Sequence, residues 1–177
     1  MTSVFIGGSR RLGRMNAELA HRLDNIIEKG LRVLVGDAGG FDRAAQSYLA
    51  RHGYRDVLVY CTHGECRNNV GDWPQRAVDF RGRARTREFY TAKDEAMLRD
   101  ADYGLFAWDG RSKGTLRNVH LMAEQGKPSS VYVSPVRMFF TIRSARDVAR
   151  LMIKVNADEP KEEELVPDQT RLGLSGD

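Results

Sequence analysis

The chain predicts an α/β fold, a doubly wound and mostly parallel Rossmann-like sheet of five strands. Short β-branched runs alternate with amphipathic stretches at helical spacing, the pattern of parallel strands joined by crossover helices. Three apolar runs stop at glycine-rich segments: Gly7-Gly8-Ser9-Arg10, Gly36-Asp37-Ala38-Gly39-Gly40-Phe41-Asp42 and Trp108-Asp109-Gly110-Arg111-Ser112-Lys113-Gly114-Thr115. In such a sheet these segments fall at the carboxyl edge, where ligands settle against helix N-termini. At 177 residues the chain is long enough for one domain with a normal core.

The first strand is read over residues 4–6. A helix over 16–29 follows, with Leu19, Leu23, Ile26 and Ile27 on one face and Gly30 ending it. A strand over 32–35 leads to a helix over 42–51 that shows Ala45, Tyr48 and Leu49, closed by Gly53 before a strand over 57–60. Residues 61–86 break the rhythm with Gly64, Gly71, Pro74 and Gly82, and read as a long loop of the kind that is functional or disordered. Basic residues from Arg76 to Lys93 give that loop the character of a lid, mobile without an anionic ligand. A helix over 87–100, a strand over 103–108 and a helix over 115–125 come next, the last with Leu116, Val119, Met122 and Ala123 facing inward. A strand over 130–133 precedes Ser144 and Asp147, which make a capping-box-like start for a helix over 145–155. Residues 1–155 therefore read as one domain and 156–177 as an acidic, flexible tail.

Charge divides the same way. The tail holds seven acidic and two basic side chains, so a net +4 covers a body of +9. A basic body favours an anionic ligand. No run approaches the roughly 20 apolar residues of a membrane span, and the N-terminus lacks a signal-peptide pattern, so a cytoplasmic protein is expected. Cys61 and Cys66 bracket His63, but no second cluster completes a metal set, and neither metal nor cofactor is expected.

The glycine segments supply the candidate site. Around Gly7, Gly8 and Ser9, backbone N–H groups and a hydroxyl suit a phosphate or ribose cradle, with Arg10 adding a bidentate contact. A helix-capping Ser9 and a solvated Arg10 fit the same residues. Asp37 is placed to take ribose hydroxyls beside Gly39 and Gly40, and Asp42 to cap the next helix. Asp109 and Gly110 sit at the mouth of the cleft, and Thr115 after Gly114 is placed to cap a helix and touch a phosphate. Trp108 fits a stacking or a core role. Glu88, Asp94 and Asp109 are candidate catalytic carboxylates, with Arg87 or Lys93 on phosphate, although each also fits a surface charge. The six-residue interval puts Arg87 and Lys93 on different helix faces.

Gly7-Gly8-Ser9-Arg10, Gly36 to Asp42, and Met97, Ala101-Asp102 and Gly114-Thr115 together resemble the SLOG superfamily over about residues 3–135. That group of Rossmann-like domains includes LOG phosphoribohydrolases, the DNA-uptake protein DprA and sensors of nucleotide-derived ligands. The aspartate and Gly-Thr segment also looks like nucleoside 2-deoxyribosyltransferases. Where these enzymes carry a glutamate three residues after the threonine, this chain has Asn118. Where LOG enzymes carry Arg-Lys before the methionine it has Lys93-Asp94, and Trp108-Asp109-Gly110 replaces their Pro-Gly-Gly turn. An asparagine serves neither as general base nor as carboxylate nucleophile.

The expected function is therefore binding of a nucleotide or nucleotide-derived ligand, with Asn118 among the lining residues. One alternative is an N-glycosidase using another carboxylate. A second is a DNA-associated, DprA-like protein, although no nucleic-acid motif stands out and nucleic acid is the less expected partner. A homodimer is expected, from the resemblance and from Phe89, Tyr90, Met97 and Met122 read as exposed apolar surface.

Overall fold

The computed structural model describes residues 1–64, 66–83 and 86–158. Residues 159–177 of the acidic segment, and Arg85 of the basic loop, lie outside them. The elements are β1 (Ser3–Gly8), α1 (Ala17–Glu28), β2 (Arg32–Gly36), α2 (Phe41–Arg51), β3 (Val57–Thr62) and β4 (Gln75–Val78), then α3 (Arg87–Asp100), β5 (Tyr103–Trp108), α4 (Lys113–Glu124), β6 (Ser129–Val133), β7 (Met138–Ile142) and α5 (Ala145–Asp158).

The sheet has seven strands rather than five, in the order β4-β3-β2-β1-β5-β6-β7. All neighbours pair in parallel except β6 and β7. Both extra strands form the sheet's edges. Gln75-Arg76-Ala77-Val78 is polar and largely exposed, so it lacks the apolar alternation that marks a half-buried strand. β7 follows a turn at residues 134–137 and carries Phe139 and Phe140, both half-buried.

Alternate strand residues feed two cores, as the period-2 geometry of a sheet requires. Phe5, Leu34, Tyr60, Phe106 and Val131 point to the face covered by α3, α4 and α5. Val4, Ile6, Val33, Val35, Val59, Leu105 and Ala107 point to the face covered by α1 and α2. Met97 and Met122 are buried in the first core at 1% and 0% exposure, which removes them from any dimer surface.

Helix starts differ from expectation at two places that matter for the site. Asp42 does not cap α2; the N-cap position is Gly40, which has φ +73° and gives no side-chain cap. A Cβ at Gly40 would lie 2.4 Å from the Arg10 backbone, so the close approach of the two loops requires glycine there. Ser112, not Thr115, caps α4, accepting from Thr115 N–H at 3.3 Å. The Ser144 and Asp147 box does form: Asp147 Oδ2 accepts from Ser144 N–H at 3.0 Å, and Asp147 N–H donates to Ser144 Oγ at 3.4 Å.

The segment read as a mobile lid is tied down over half its length. Trp73 is 5% exposed and donates its indole N–H to Tyr54 O at 2.9 Å. The Asn69 side chain bonds the Trp73 backbone twice, and Asn68 donates to Asp37 O at 2.7 Å.

Candidate functional site

β1 connects through α1 to β2 on one side, while β5 lies on its other side, so the carboxyl ends of β1 and β5 form the topological switch point of the sheet. A cavity of about 680 Å³ opens there, lined from β1, the β2–α2 loop, α3 and the start of α4.

The loops at its mouth are fastened to one another. Ser9 N–H donates to Ala107 O at 2.9 Å, and Ser9 Oγ donates to Asp109 Oδ1 at 3.0 Å. The same Asp109 oxygen accepts from Arg111 N–H and Ser112 N–H at 3.0 and 2.7 Å. Burial opposes the Asp109 charge, but these donors outweigh it and hold the carboxyl below its usual range. Asp109 therefore folds the loop that starts α4. Ser9 is 1% exposed and neither caps a helix nor lines the cavity; its hydroxyl also lies 3.4 Å from that of Thr115.

The floor is a buried charge cluster. Lys93, 5% exposed, donates from Nζ to Asp94 Oδ1 at 2.9 Å, and Asp94 Oδ2 accepts from Asn118 Nδ2 at 3.0 Å. Asn118 is buried, and its Oδ1 has no partner. Asp42 Oδ2 and Lys93 Nζ converge above Gly36, where a Cβ would come within 2.6 Å of each. Burial pushes the Asp42 carboxyl up to about 7, against the pull of Lys93. Lys93 loses solvation in the same place, yet the Asp94 and Asp42 charges raise its pKa and keep it protonated.

The rim is cationic. Arg10, Arg11, Arg67, Arg87, Arg111 and Lys113 surround the opening, with Ser112 to Thr115 presenting the N-terminus of α4. With Lys93 the lining holds seven cations against the carboxylates Asp42, Asp94 and Asp109, a field that attracts anions. Tyr90 orders two of the arginines: the guanidiniums of Arg10 and Arg67 lie 5.3 and 5.4 Å from its ring centroid. Arg67 also grips Asp37 through Nε and Nη2 at 2.8 and 2.7 Å. Burial opposes the Asp37 charge, but Arg67 and Lys93 lower its pKa overall.

Of the residues singled out from sequence, Gly7, Gly8, Arg10, Arg87, Lys93, Asp94, Asp109, Gly114, Thr115 and Asn118 line this cavity. Arg87 and Lys93 do so despite their spacing, one exposed near the rim and the other buried at the floor. Asp37, Gly39, Gly40 and Gly110 do not: Asp37 is spent on Arg67, and the glycines shape loops behind the lining. A Cβ at Gly39 or Gly114 would meet nothing within 4 Å, so neither position requires glycine for space. Glu88 lies at the exposed start of α3, on a separate hollow. Residues missed from sequence include Arg11, Arg67, Tyr90, Arg111 and Lys113. Arg111 and Lys113 lie just before Gly114, in a segment already singled out; Arg67 and Tyr90 meet only through the tertiary fold. Asp42 was read as a cap and is instead part of the floor.

No family model matches the chain, and no curated protein matches it. Two solved structures share its fold. DNA processing protein A from Helicobacter pylori, described for its single-stranded DNA binding mode, is 17% identical with a TM-score of 0.53, covering 73% of this chain and 64% of its own. DNA processing protein A (DprA) from Streptococcus pneumoniae is 15% identical with a TM-score of 0.57, covering 86% of this chain and 56% of its own. The chain thus has a DprA-like Rossmann-type fold and spans less than two thirds of the length of those proteins. Among the described residues, no helix is long and apolar enough to cross a membrane, and no group of three or more His, Cys, Asp or Glu side chains is placed to hold a metal ion.

Proposed function

We propose that this protein binds single-stranded DNA, with the backbone phosphates on the cationic rim at the β1/β5 switch point. The observation that carries the reading is the gathering of six exposed or rim cations around one opening, two of them ordered on Tyr90. The shared fold with DprA supports it, since one of those neighbours is described for binding single-stranded DNA. Polarisation of a labelled ten-nucleotide oligothymidylate tests it. About five phosphate contacts would give a salt slope near −3.5, at roughly −0.7 per contact for single strands. Arg10→Ala and Arg111→Ala should each flatten that slope by about one contact. A parent protein that leaves the oligonucleotide free at low salt sinks the reading.

A second reading, a free nucleotide as ligand, draws on the floor. The cavity has the size of a small-molecule site, and Asn118 Oδ1 lacks a partner that a ligand donor could supply. Thermal shift with nucleoside monophosphates, in competition with the oligonucleotide, separates the two. Base release is not expected from either ligand. Asp94 is held by Lys93 and Asn118, Asp109 by three donors, and Glu88 lies on the other hollow. Chromatographic detection of free base at one turnover per minute or faster would revive the glycosidase alternative.

A further inference from the structure

A second hollow of about 580 Å³ lies between β4, α3 and α4, and its lining includes Phe80, Arg99 and Arg117. Arg87 and Thr91 line both it and the basic cavity, so the two depressions share a wall at the start of α3. Three half-buried aromatic rings form a row beside this wall, Phe89 touching both its neighbours. Phe80 meets Phe89 edge-on with centroids 5.7 Å apart, and Phe89 meets Tyr90 at 5.3 Å. His63, exposed, tilts over Phe89 at 6.1 Å and hydrogen-bonds through Nε2 to Phe80 O. Tyr90 reaches into the basic cavity and Phe80 into the second hollow, so the row connects them.

The two hollows differ in charge. The basic cavity is strongly cationic, whereas Arg87, Arg99 and Arg117 in the second are matched by Asp79, Glu88 and Glu95. A cationic cavity suits phosphates. An electrically balanced hollow with the Phe80 ring on its lining, and Phe89 packed behind that ring, suits bases, each of which has a π-face for stacking. We infer that the His63, Phe80 and Phe89 row is a base-stacking track that carries a single strand out of the basic cavity, past Arg87, into the second hollow. This rests on the single-stranded DNA reading above and adds a direction and a length to it. The occupant is single-stranded nucleic acid because the track is continuous with a phosphate-attracting rim.

Affinity should therefore grow with strand length beyond what the basic cavity holds. The parent is titrated with oligothymidylates of three and ten nucleotides, and with a ten-unit abasic deoxyribose-phosphate chain. The ten-nucleotide strand should bind at least tenfold more tightly than the three-nucleotide one. Phe80→Ala and Phe89→Ala should each weaken the longer strand roughly tenfold, the usual loss of one stacked base, and leave the three-nucleotide and abasic chains unchanged. Phe80→Tyr should restore binding and Phe80→Leu should not, which separates stacking from packing. 2-Aminopurine placed in the strand should be quenched by the parent and not by Phe80→Ala. Equal affinity of the parent for three and ten nucleotides, or a length effect that survives both alanine variants, overturns the track alone. No binding of any strand overturns the track together with the reading beneath it. A concentration-dependent mass of the parent in sedimentation that Phe80→Ala abolishes gives the row to a second copy of this chain, and also overturns the track.

Discussion

The floor and the rim of the cavity are built from the same residue types under opposite rules. At the floor, Lys93, Asp42 and Asn118 are buried and Asp94 is half-buried, and the one amine and its carboxylates depend on each other for charge compensation. At the rim, Arg10, Arg11, Arg87, Arg111 and Lys113 stand exposed and are free to exchange water for a ligand's oxygens. A buried pair costs several kcal/mol to break, whereas an exposed one is worth about 0–1 kcal/mol. The floor should therefore govern folding and the rim should govern binding.

The largest expected effect breaks the floor. Lys93→Met leaves the buried Asp42 and the half-buried Asp94 without their cation and should cost about 3 kcal/mol, lowering Tm by about 10 °C at 2–4 °C per kcal/mol for a chain of this size. Arg111→Ala should stay within about 0.5 kcal/mol of the parent while weakening oligonucleotide binding. Equal Tm values for the two variants, measured by calorimetry, would erase the distinction.

The next effect is one of pH. The folded Asp42 carboxyl sits at about 7 against an ordinary 3.8. Between those values the folded state holds a proton that the unfolded chain has released. The stability contributed by Asp42 is thus fully present below about pH 4 and is lost as pH rises to about 7. Denaturant midpoints for the parent and Asp42→Asn should diverge over that interval, the variant being the less pH-sensitive. Parallel curves would place the titration elsewhere.

The smallest effect concerns the loops that join floor to rim. Gly40→Ala forces a Cβ into the Arg10 backbone at φ +73°, while Gly39→Ala enters open space. The first should cost at least about 1 kcal/mol and the second less than about 0.5 kcal/mol. Equal midpoints in urea would show that the Arg10 loop yields.

Sequence periodicity carried the five inner strands and the five helices, because parallel strands buried on both faces are nearly continuous apolar runs. It missed β4 because a short exposed edge strand carries no such run, and the turn at residues 134–137 hid β7. The glycine loops located the carboxyl edge correctly. Within it, Asp37 and Asp109 hydrogen-bond to partners that organise the loops, and Arg87 and Lys93 line the cavity as their charge suggested, whereas Arg67 reaches it from the irregular segment. Tyr90 holding two arginines from distant loops is a three-body contact that no local pattern encodes.

The two edges of the sheet limit what the molecule does to itself. β4 offers only four residues of open backbone, three of them exposed, and Arg76 reaches back to the carboxylate of Asp100 and the ring of Tyr60. At the far edge the last strand reverses direction, with Phe139 engaged by Tyr132 and covered by Arg22. Open strand borders are templates for endless cross-chain pairing unless they are short, charged or shielded. Here one border is short and guanidinium-guarded and the other is turned and shielded, so the sheet does not readily extend itself from chain to chain.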